Sequence, residues 1–175
     1  MQGNKIIDNF LDKKVLYQIK EVLESQGFPW FFCDEVSTKE KKGKDNYYFF
    51  HDFYARINGV PQPTSNYFKL VLPILKKIEV KALVRVKANL YTYAGTQIEH
   101  GFHRDQTYSH KGAILTINTN NGYTLLKDGT KVESIENRLL LFDPSEDHSS
   151  ATCTDSAKRI NININYFWGV PYNAK

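Results

Sequence analysis

The stretch RINININ at residues 159–165 decides the fold class, because polar and apolar side chains alternate along it without a break. Neighbouring side chains of an extended strand point to opposite faces of the sheet. Ile160, Ile162 and Ile164 therefore share one face, and the arginine and the asparagines share the other. The pattern predicts a β-strand with an apolar core on one side and a polar space on the other.

Further strand patterns precede this one in the chain. The tight-turn dipeptide Asp128-Gly129 lies between two of them and predicts a hairpin. The strands expected before residue 159 are residues 84–91, 114–117, 123–126, 131–135 and 139–142. Such a run of short strands favours an antiparallel sandwich or barrel.

Helical periodicity is confined to the first part of the chain. Asp12 is a typical N-cap residue, and the apolar residues between it and Gly27 recur at helical spacing. A second helix is expected over residues 65–78, with a kink at Pro73. We therefore predict a mainly β (α+β) protein with bracing helices. Its single domain, residues 1–175, would combine a helical support and lid region at 1–80 with a β core at 81–170.

The composition is that of a globular protein. The chain has 175 residues, of which 41% are hydrophobic and 24% are charged, and its net charge of +4 does not by itself indicate a nucleic-acid partner. Two cysteines are too few for a disulfide scaffold or a four-cysteine zinc site. The pattern contains neither a membrane span nor a secretory signal, so a reducing, cytoplasmic location is expected.

Two of the five histidines lie near carboxylates in a pattern typical of metal sites. In His103-Arg104-Asp105 the first and third side chains share a face of an extended chain, and Arg104 faces away. His148 follows the apolar segment 139–142. Two histidines and one carboxylate bind non-haem Fe(II) on one face and leave its other positions open. A surface turn with an unrelated histidine is the alternative for the short motif alone.

Arg159 strengthens the metal-site hypothesis. If the isoleucines of its strand pack against the helices, the guanidinium points into the barrel. Burying its charge there costs several kcal/mol unless an anion binds to it. A dicarboxylate ligand would be such an anion. Fe(II) carries two positive charges, the aspartate one negative charge and the dicarboxylate two negative charges, so the sum is one negative charge, which Arg159 neutralises. The alternative is an edge strand with Arg159 in water.

The combination of His103-Arg104-Asp105, His148 and Arg159 resembles the signature of the 2-oxoglutarate/Fe(II)-dependent dioxygenases. The short distance from the second histidine to the basic residue is most similar to the prolyl-4-hydroxylase-like branch. The segments 89–91, 100–105, 118–123 and 137–139 resemble the small bacteriophage members of this family. The resemblance is detailed over residues 83–168 and implies a double-stranded β-helix, the jelly-roll or cupin-like fold.

The resemblance also implies roles for individual residues. His103, Asp105 and His148 would be the catalytic iron ligands. Arg159 would bind the far carboxylate of 2-oxoglutarate, and Tyr91 would add a hydroxyl group to that contact.

Two asparagines complete the implied co-substrate site. Asn89 would touch 2-oxoglutarate near the metal. Asn161 belongs to an Arg-x-Asn pattern that, like the Asn-x-Tyr pattern at 89–91, is better known in the nucleic-acid demethylases of the family. The substrate is therefore open between a peptidyl residue, with proline first, and a nucleobase or small molecule.

The implied reaction uses Fe(II), 2-oxoglutarate and O2, and couples oxidative decarboxylation to hydroxylation of the substrate. The resemblance places the protein in the cytoplasm, with a phage-infected bacterium as one host. A cupin-like metal protein that does not use 2-oxoglutarate would have no need of Arg159. A non-catalytic phage structural protein would not be expected to keep the His-Asp-His set. The oligomeric state is left open.

Two further regions carry expectations that the fold can test. Residues 30–56 are rich in aromatic residues and lysines, and form either a substrate-contacting lid or core aromatics under a solvated lysine loop. An aromatic lid would suit base stacking or an extended peptide equally. His100 has the opposite parity to His103, so it is expected to face away from the metal.

Overall fold

The computed structural model describes residues 3–36 and 46–169, and all statements below concern these residues. They form two α-helices, a short 3-10 turn and eleven β-strands. The helices are α1 (Lys13–Glu24) and α2 (Leu72–Lys77), and the 3-10 turn Phe68–Val71 precedes α2. The strands are β1 (Lys5–Ile7), β2 (Phe31–Cys33), β3 (Tyr48–Ile57), β4 (Val60–Pro63), β5 (Val80–Thr92), β6 (Lys111–Thr116), β7 (Asn120–Leu126), β8 (Lys131–Ser134), β9 (Leu139–Phe142), β10 (His148–Ser150) and β11 (Lys158–Trp168).

The strands form two antiparallel sheets. The larger has the order β1-β9-β6-β11-β5-β3-β2, with β4 paired to β3, and the smaller has the order β10-β7-β8. The smaller sheet lies over the polar face of β11, since the Arg159 side chain donates to Ser134 of β8 and Thr124 of β7. The jelly-roll prediction is confirmed.

The apolar face of β11 packs against the helices as its alternation predicts. Ile160, Ile162 and Ile164 are fully buried in one cluster with residues of both helices, among them Ile19 and Ile74. Burying such a side chain stabilises the fold by roughly 1.5–3 kcal/mol. The helices therefore brace one face of the large sheet. On the other face, the polar side chains of β11 lie beside a smaller apolar cluster that both sheets form, with members Ile114, Leu126, Val132, Leu140 and Phe142.

Helix α1 begins where the sequence predicts, because the Asp12 carboxylate accepts a hydrogen bond from the Lys14 amide at 2.9 Å. The second helix is shorter than expected. Residues 65–67 lie outside it, and α2 spans only Leu72–Lys77 after the 3-10 turn. The expected kink at Pro73 is also wrong, since this proline lies in the first helical turn, where its missing N–H has no partner to lose.

The expectation of a mainly helical region at 1–80 is wrong in part, because four strands of the large sheet come from it. β1, β2 and β4 are only three or four residues long. β3 is longer, but aromatic side chains lie on both of its faces, so no period of two marks it. The predicted β strands from residue 84 onward are confirmed, and β9 has the predicted bounds.

The aromatic region 30–56 contains both kinds of side chain that the sequence allowed. Phe53 is fully buried and Trp30 packs against the main core, whereas Phe31 and Phe32 are 54% and 60% exposed. The lysine run at 39–44 lies outside the described residues. Neither helix in the described part of the chain has the length and apolar character of a membrane span.

Candidate active site

His103, Asp105 and His148 come together at one point between the two sheets. One potential ligand atom from each lies within 4.8 Å of the other two. The imidazole rings of His103 and His148 have centroids 4.5 Å apart. Two imidazoles and a carboxylate at this spacing can hold a first-row metal ion and leave open positions for other ligands.

The two histidines are held together through their backbones. The His103 amide donates to the His148 carbonyl at 2.9 Å, and the His148 amide donates back at 3.0 Å. Each Nδ1 faces a backbone carbonyl two residues earlier, that of Gly101 at 3.4 Å and that of Glu146 at 3.0 Å. Such contacts favour the tautomer with the proton on Nδ1 and leave Nε2 free to bind a metal.

The charge state of this cluster suits metal binding. Burial, and then the neighbouring His148, lower the pKa of His103, which favours the neutral imidazole that a metal requires. Burial alone would raise the pKa of the Asp105 carboxyl. Neighbouring groups, the Arg85 guanidinium first among them, outweigh this and hold the pKa below its ordinary range. His103 is therefore favoured in its neutral form and Asp105 in its ionised form, the states in which each can bind a metal.

Three side chains of the large sheet orient Asp105. Arg85 donates to Oδ1 at 2.9 Å, and Asn165 and Asn163 donate to Oδ2 at 2.9 and 3.3 Å. The Asp105 amide is also fixed, by the carbonyl of Pro144 at 2.9 Å. A carboxylate has about four lone-pair positions, so these contacts fix its rotation and leave a position for a metal.

Arg159 lies in the polar space between the sheets, as its strand parity predicts. It is only 2% exposed, and its hydrogen-bond partners are two neutral hydroxyl groups, Ser134 at 2.8 Å from Nε and Thr124 at 3.2 Å from Nη2. Nη1 is buried without a partner. No carboxylate of the described residues pairs with this guanidinium, although burial makes its charge costly and lowers its pKa. A buried anionic ligand fits these properties.

A small polar cavity connects Arg159 with the two histidines. Its volume is about 40 Å³. The lining includes Asn89, Tyr91, His103, His148, Arg159 and Asn161. This volume corresponds to a few water molecules, so a five-carbon dicarboxylate requires some lining side chains to move outward.

The three other residues that the sequence assigns to co-substrate binding all line this cavity. The Asn89 side-chain NH2 donates to Asn161 Oδ1 at 2.9 Å. The Asn89 side-chain oxygen, Oδ1, is buried without a hydrogen-bond partner. The Tyr91 ring lies 5.3 Å from the Arg159 guanidinium carbon, close enough for a cation–π contact, and its hydroxyl is 3.4 Å from Ser150 Oγ. Together they supply a ring face, a hydroxyl group and an amide oxygen beside the buried cation.

Gly122 leaves the space that the Arg159 side chain occupies. A Cβ atom at this position would lie 2.6 Å from Arg159 Cδ and 2.9 Å from the backbone oxygen of Ala151. The backbone oxygen cannot move away easily, so the arginine side chain would have to shift. The glycine therefore fixes the position of the buried guanidinium.

Replacing Gly122 by alanine is expected to weaken binding of 2-oxoglutarate by roughly five- to hundredfold, because overpacking costs about 1–3 kcal/mol. Calorimetric titration of the Fe(II)-loaded protein without oxygen measures this effect. Gly27→Ala is the matched control, since nothing lies within 4 Å of a Cβ atom there. Equal affinities in the two variants would contradict the assigned position of Arg159.

His100 lies outside the metal cluster, as expected, although strand parity is not the reason. Residues 99–105 form no regular strand and make only isolated bridges, at Glu99 and His103. His100 is 3% exposed, and its ring stacks on that of Tyr91 with centroids 5.6 Å apart. Burial is the main reason that its pKa falls to about 4. His100 is thus a buried, neutral residue that packs against Tyr91.

Arg104 behaves as its parity predicts. It points away from the cluster and forms an ion pair with Asp147, with Nε 3.0 Å from Oδ1. Its side chain is 50% exposed. Exposed pairs of this kind contribute about 0–1 kcal/mol, so Arg104 is a suitable control position for the metal cluster.

Arg85, Asn165 and Gly122 are site residues that sequence reasoning did not identify. A signal existed for Arg85, because it shares a strand face with Asn89 and Tyr91. Asn165 was expected only to be an interior polar residue. Gly122 carries no signal, because its role depends on which side chain of another strand lies opposite.

No protein-family model and no curated protein sequence matches the chain. Comparison with solved structures is informative. An oxidoreductase of the 2OG-Fe(II) oxygenase family from Burkholderia pseudomallei superposes with a TM-score of 0.73 at 11% identity, over 94% of this chain and 85% of that one. The chain has the fold of the 2-oxoglutarate/Fe(II) oxygenases.

Two prolyl hydroxylases have the same fold. One, from Trichoplax adhaerens and in complex with a peptide fragment of hypoxia inducible factor, has a TM-score of 0.63 and 16% identity over 94% of this chain and 83% of that one. The other is a viral collagen prolyl hydroxylase from Paramecium bursaria Chlorella virus-1. It has a TM-score of 0.59 and 11% identity over 96% of this chain and 97% of that one.

Proposed function

We propose that this protein is a 2-oxoglutarate- and Fe(II)-dependent dioxygenase with one catalytic domain. It hydroxylates a residue of a peptide or protein, and proline is the first candidate. The observation that carries the proposal is Arg159, a buried cation with a free Nη1 in the same cavity as His103 and His148. The fold and the assembled His-Asp-His cluster support the proposal.

In the proposed site, His103, His148 and Asp105 hold Fe(II). When bound there with 2-oxoglutarate and O2, the metal supplies the oxidising chemistry that yields succinate, CO2 and a hydroxylated substrate. Both atoms of O2 are accounted for, one in succinate and one in the new hydroxyl group. The protein contributes position and charge: Arg85 and Asn165 hold the carboxylate, and backbone carbonyls hold the imidazoles.

Arg159 would bind the far carboxylate of 2-oxoglutarate. This carboxylate would be the anionic partner that the buried guanidinium lacks. Tyr91 would orient that carboxylate through its hydroxyl group. Asn89 and Asn161 line the path from Arg159 to the metal cluster and would contact the co-substrate through their amides. A cupin-like protein without 2-oxoglutarate leaves the buried guanidinium unexplained.

The proposed location is the cytoplasm, and the cytoplasm of a phage-infected bacterium is one such location. Cys33 and Cys153 are both free thiols, which suits a reducing compartment.

The proposed reaction is tested by succinate formation. The protein reconstituted with Fe(II) should convert 2-oxoglutarate to succinate in the presence of O2, and the zinc-loaded protein should not, because zinc has no redox chemistry. Peptide hydroxylation adds one oxygen atom to the peptide mass. Absence of succinate with Fe(II), under conditions in which iron is bound, would contradict the proposal.

A further inference from the structure

The inner face of β5 carries one cation, Lys87, that belongs neither to the metal cluster nor to the lining of the cavity beside Arg159. Arg85, Lys87, Asn89 and Tyr91 alternate with buried or partly buried apolar residues and share one face of the strand. Asn89 and Tyr91 line the cavity beside Arg159. Lys87 continues the same face toward the metal cluster, because its partner across the ladder, Asn163, contacts Asp105.

Lys87 has no carboxylate partner among the described residues. Its Nζ donates to the Tyr48 hydroxyl at 3.0 Å and lies 5.0 Å from the centre of the Tyr48 ring. A lysine amine has three protons to donate, so two remain for a ligand. Burial is the main reason that the pKa of Lys87 falls to about 8, and the positive charge of Arg85 lowers it further.

One acidic residue lies across the ladder from Lys87 without neutralising it. Asp52 is the partner of Lys87 in register with β3. The two form no ion pair, and Asp52 Oδ1 is buried without a hydrogen bond. Burial raises the pKa of the Asp52 carboxyl, which weakens it further as a counter-charge. The amine therefore keeps two protons that no carboxylate of the described residues accepts.

The charges of the site remain positive after its cofactors bind. Fe(II) and 2-oxoglutarate carry opposite charges of equal size. The cations Arg85, Lys87 and Arg159 then outnumber the carboxylates Asp52 and Asp105 by one. A cleft of this sign attracts one further negative charge.

Lys87 and Arg159 point to different ligands. Their positions on neighbouring strands are four residues apart in register, roughly 13 Å at the rise of a strand. Arg159 extends to Ser134 and Thr124 in the small sheet, whereas Lys87 extends to Tyr48 in β3. The two cations therefore diverge from each other, one toward the co-substrate and the other toward the β3 side of the cleft.

We propose that Lys87 binds a carboxylate of the substrate, so that the protein acts on an acidic peptide with Asp or Glu beside the oxidised residue. This inference rests on the proposed dioxygenase function and names its substrate class. A phosphate of nucleic acid would use the same lysine. A carboxylate is favoured because the cleft offers one surplus charge rather than a row of cations.

The test compares two blocked dipeptides, N-acetyl-Asp-Pro amide and N-acetyl-Asn-Pro amide, which have nearly the same shape and differ by one negative charge, with an amide NH2 in place of a carboxylate oxygen. Their binding to the full chain with Fe(II) is measured by calorimetry without oxygen, in the presence and absence of 2-oxoglutarate. The acidic peptide should bind roughly ten- to hundredfold more tightly, the range of one charge-assisted hydrogen bond. Lys87→Met should remove this preference, and Lys87→Arg should keep it.

Lys81→Met is the matched control, because Lys81 lies on the same strand and is exposed. It should keep the full preference for the acidic peptide. The Lys87→Arg variant keeps the test valid if Lys87→Met does not fold, since the charge is retained and only its geometry changes. Circular dichroism of each variant verifies the fold.

Several outcomes would overturn the inference. Equal binding of the two peptides, no binding of either, or a preference that survives in Lys87→Met would each do so. A loss of 2-oxoglutarate affinity in Lys87→Met would assign the amine to the co-substrate instead. Tighter binding of a single-stranded oligonucleotide that depends on Lys87 would assign it to phosphate. A wild-type protein that fails to bind 2-oxoglutarate would contradict the dioxygenase proposal. The proposal for Lys87 would still be decided by whether the preference for the acidic peptide depends on Lys87.

Discussion

Arg159→Gln is expected to raise the 2-oxoglutarate concentration for half-maximal succinate formation by roughly ten- to several-hundredfold. The variant loses a charge-assisted contact worth about 1.5–3 kcal/mol or more for a bidentate pair, at 1.36 kcal/mol for each factor of ten. The effect is large because the wild-type guanidinium is only 2% exposed and has no carboxylate partner among the described residues. Succinate formation against 2-oxoglutarate concentration measures it.

Calorimetric titration with Fe(II) alone provides the control for this variant. Arg159 lies outside the His-Asp-His cluster, so iron affinity should change little. Tyr91→Phe should act in the same direction but more weakly, because it removes one neutral hydroxyl group and keeps the ring beside Arg159. An unchanged 2-oxoglutarate requirement in Arg159→Gln would refute the assigned role.

Asp105→Ala is expected to lower iron affinity by at least roughly a hundredfold and to abolish succinate formation. Loss of residues that merely orient metal ligands already costs about 10–100-fold, and this change removes a ligand itself. It also leaves the guanidinium of Arg85 without the carboxylate it contacts at 2.9 Å. Iron calorimetry and succinate assays on the same preparation measure the two effects together.

Arg104→Ala is the matched control for the loss of Asp105. It lies next in the chain but forms an exposed ion pair with Asp147, so iron affinity and turnover should stay near those of the unmodified protein. If Arg104→Ala and Asp105→Ala lower iron affinity and succinate formation equally, the opposite orientations of these two side chains do not hold in the active protein.

The sequence predicts the parts of this fold in which patterns are local. The alternation on β11 indicates both the core-facing isoleucines and the inward arginine, and the same parity brings His103 and Asp105 together. Parity does not explain the position of His100, because the chain from Glu99 to His103 makes only isolated bridges, to Ala151 and His148, instead of following a regular strand.

Other features depend on contacts between distant parts of the chain. Strands β1 and β4 are too short to show a period, and they exist because longer neighbours supply hydrogen-bond partners. The role of Gly122 depends on the Arg159 side chain that crosses above it. Lys87 looks like any strand lysine until the fold places it near the metal cluster without an ion pair to any carboxylate of the described residues.

The central claim is that one cavity holds both iron and 2-oxoglutarate. The most direct measurement is an anaerobic titration of the protein with Fe(II) and then 2-oxoglutarate, followed in the visible spectrum. We expect a weak charge-transfer band that grows to one equivalent of 2-oxoglutarate, requires Fe(II) and is lost in Asp105→Ala. Binding of iron with no such band at saturating 2-oxoglutarate would contradict it.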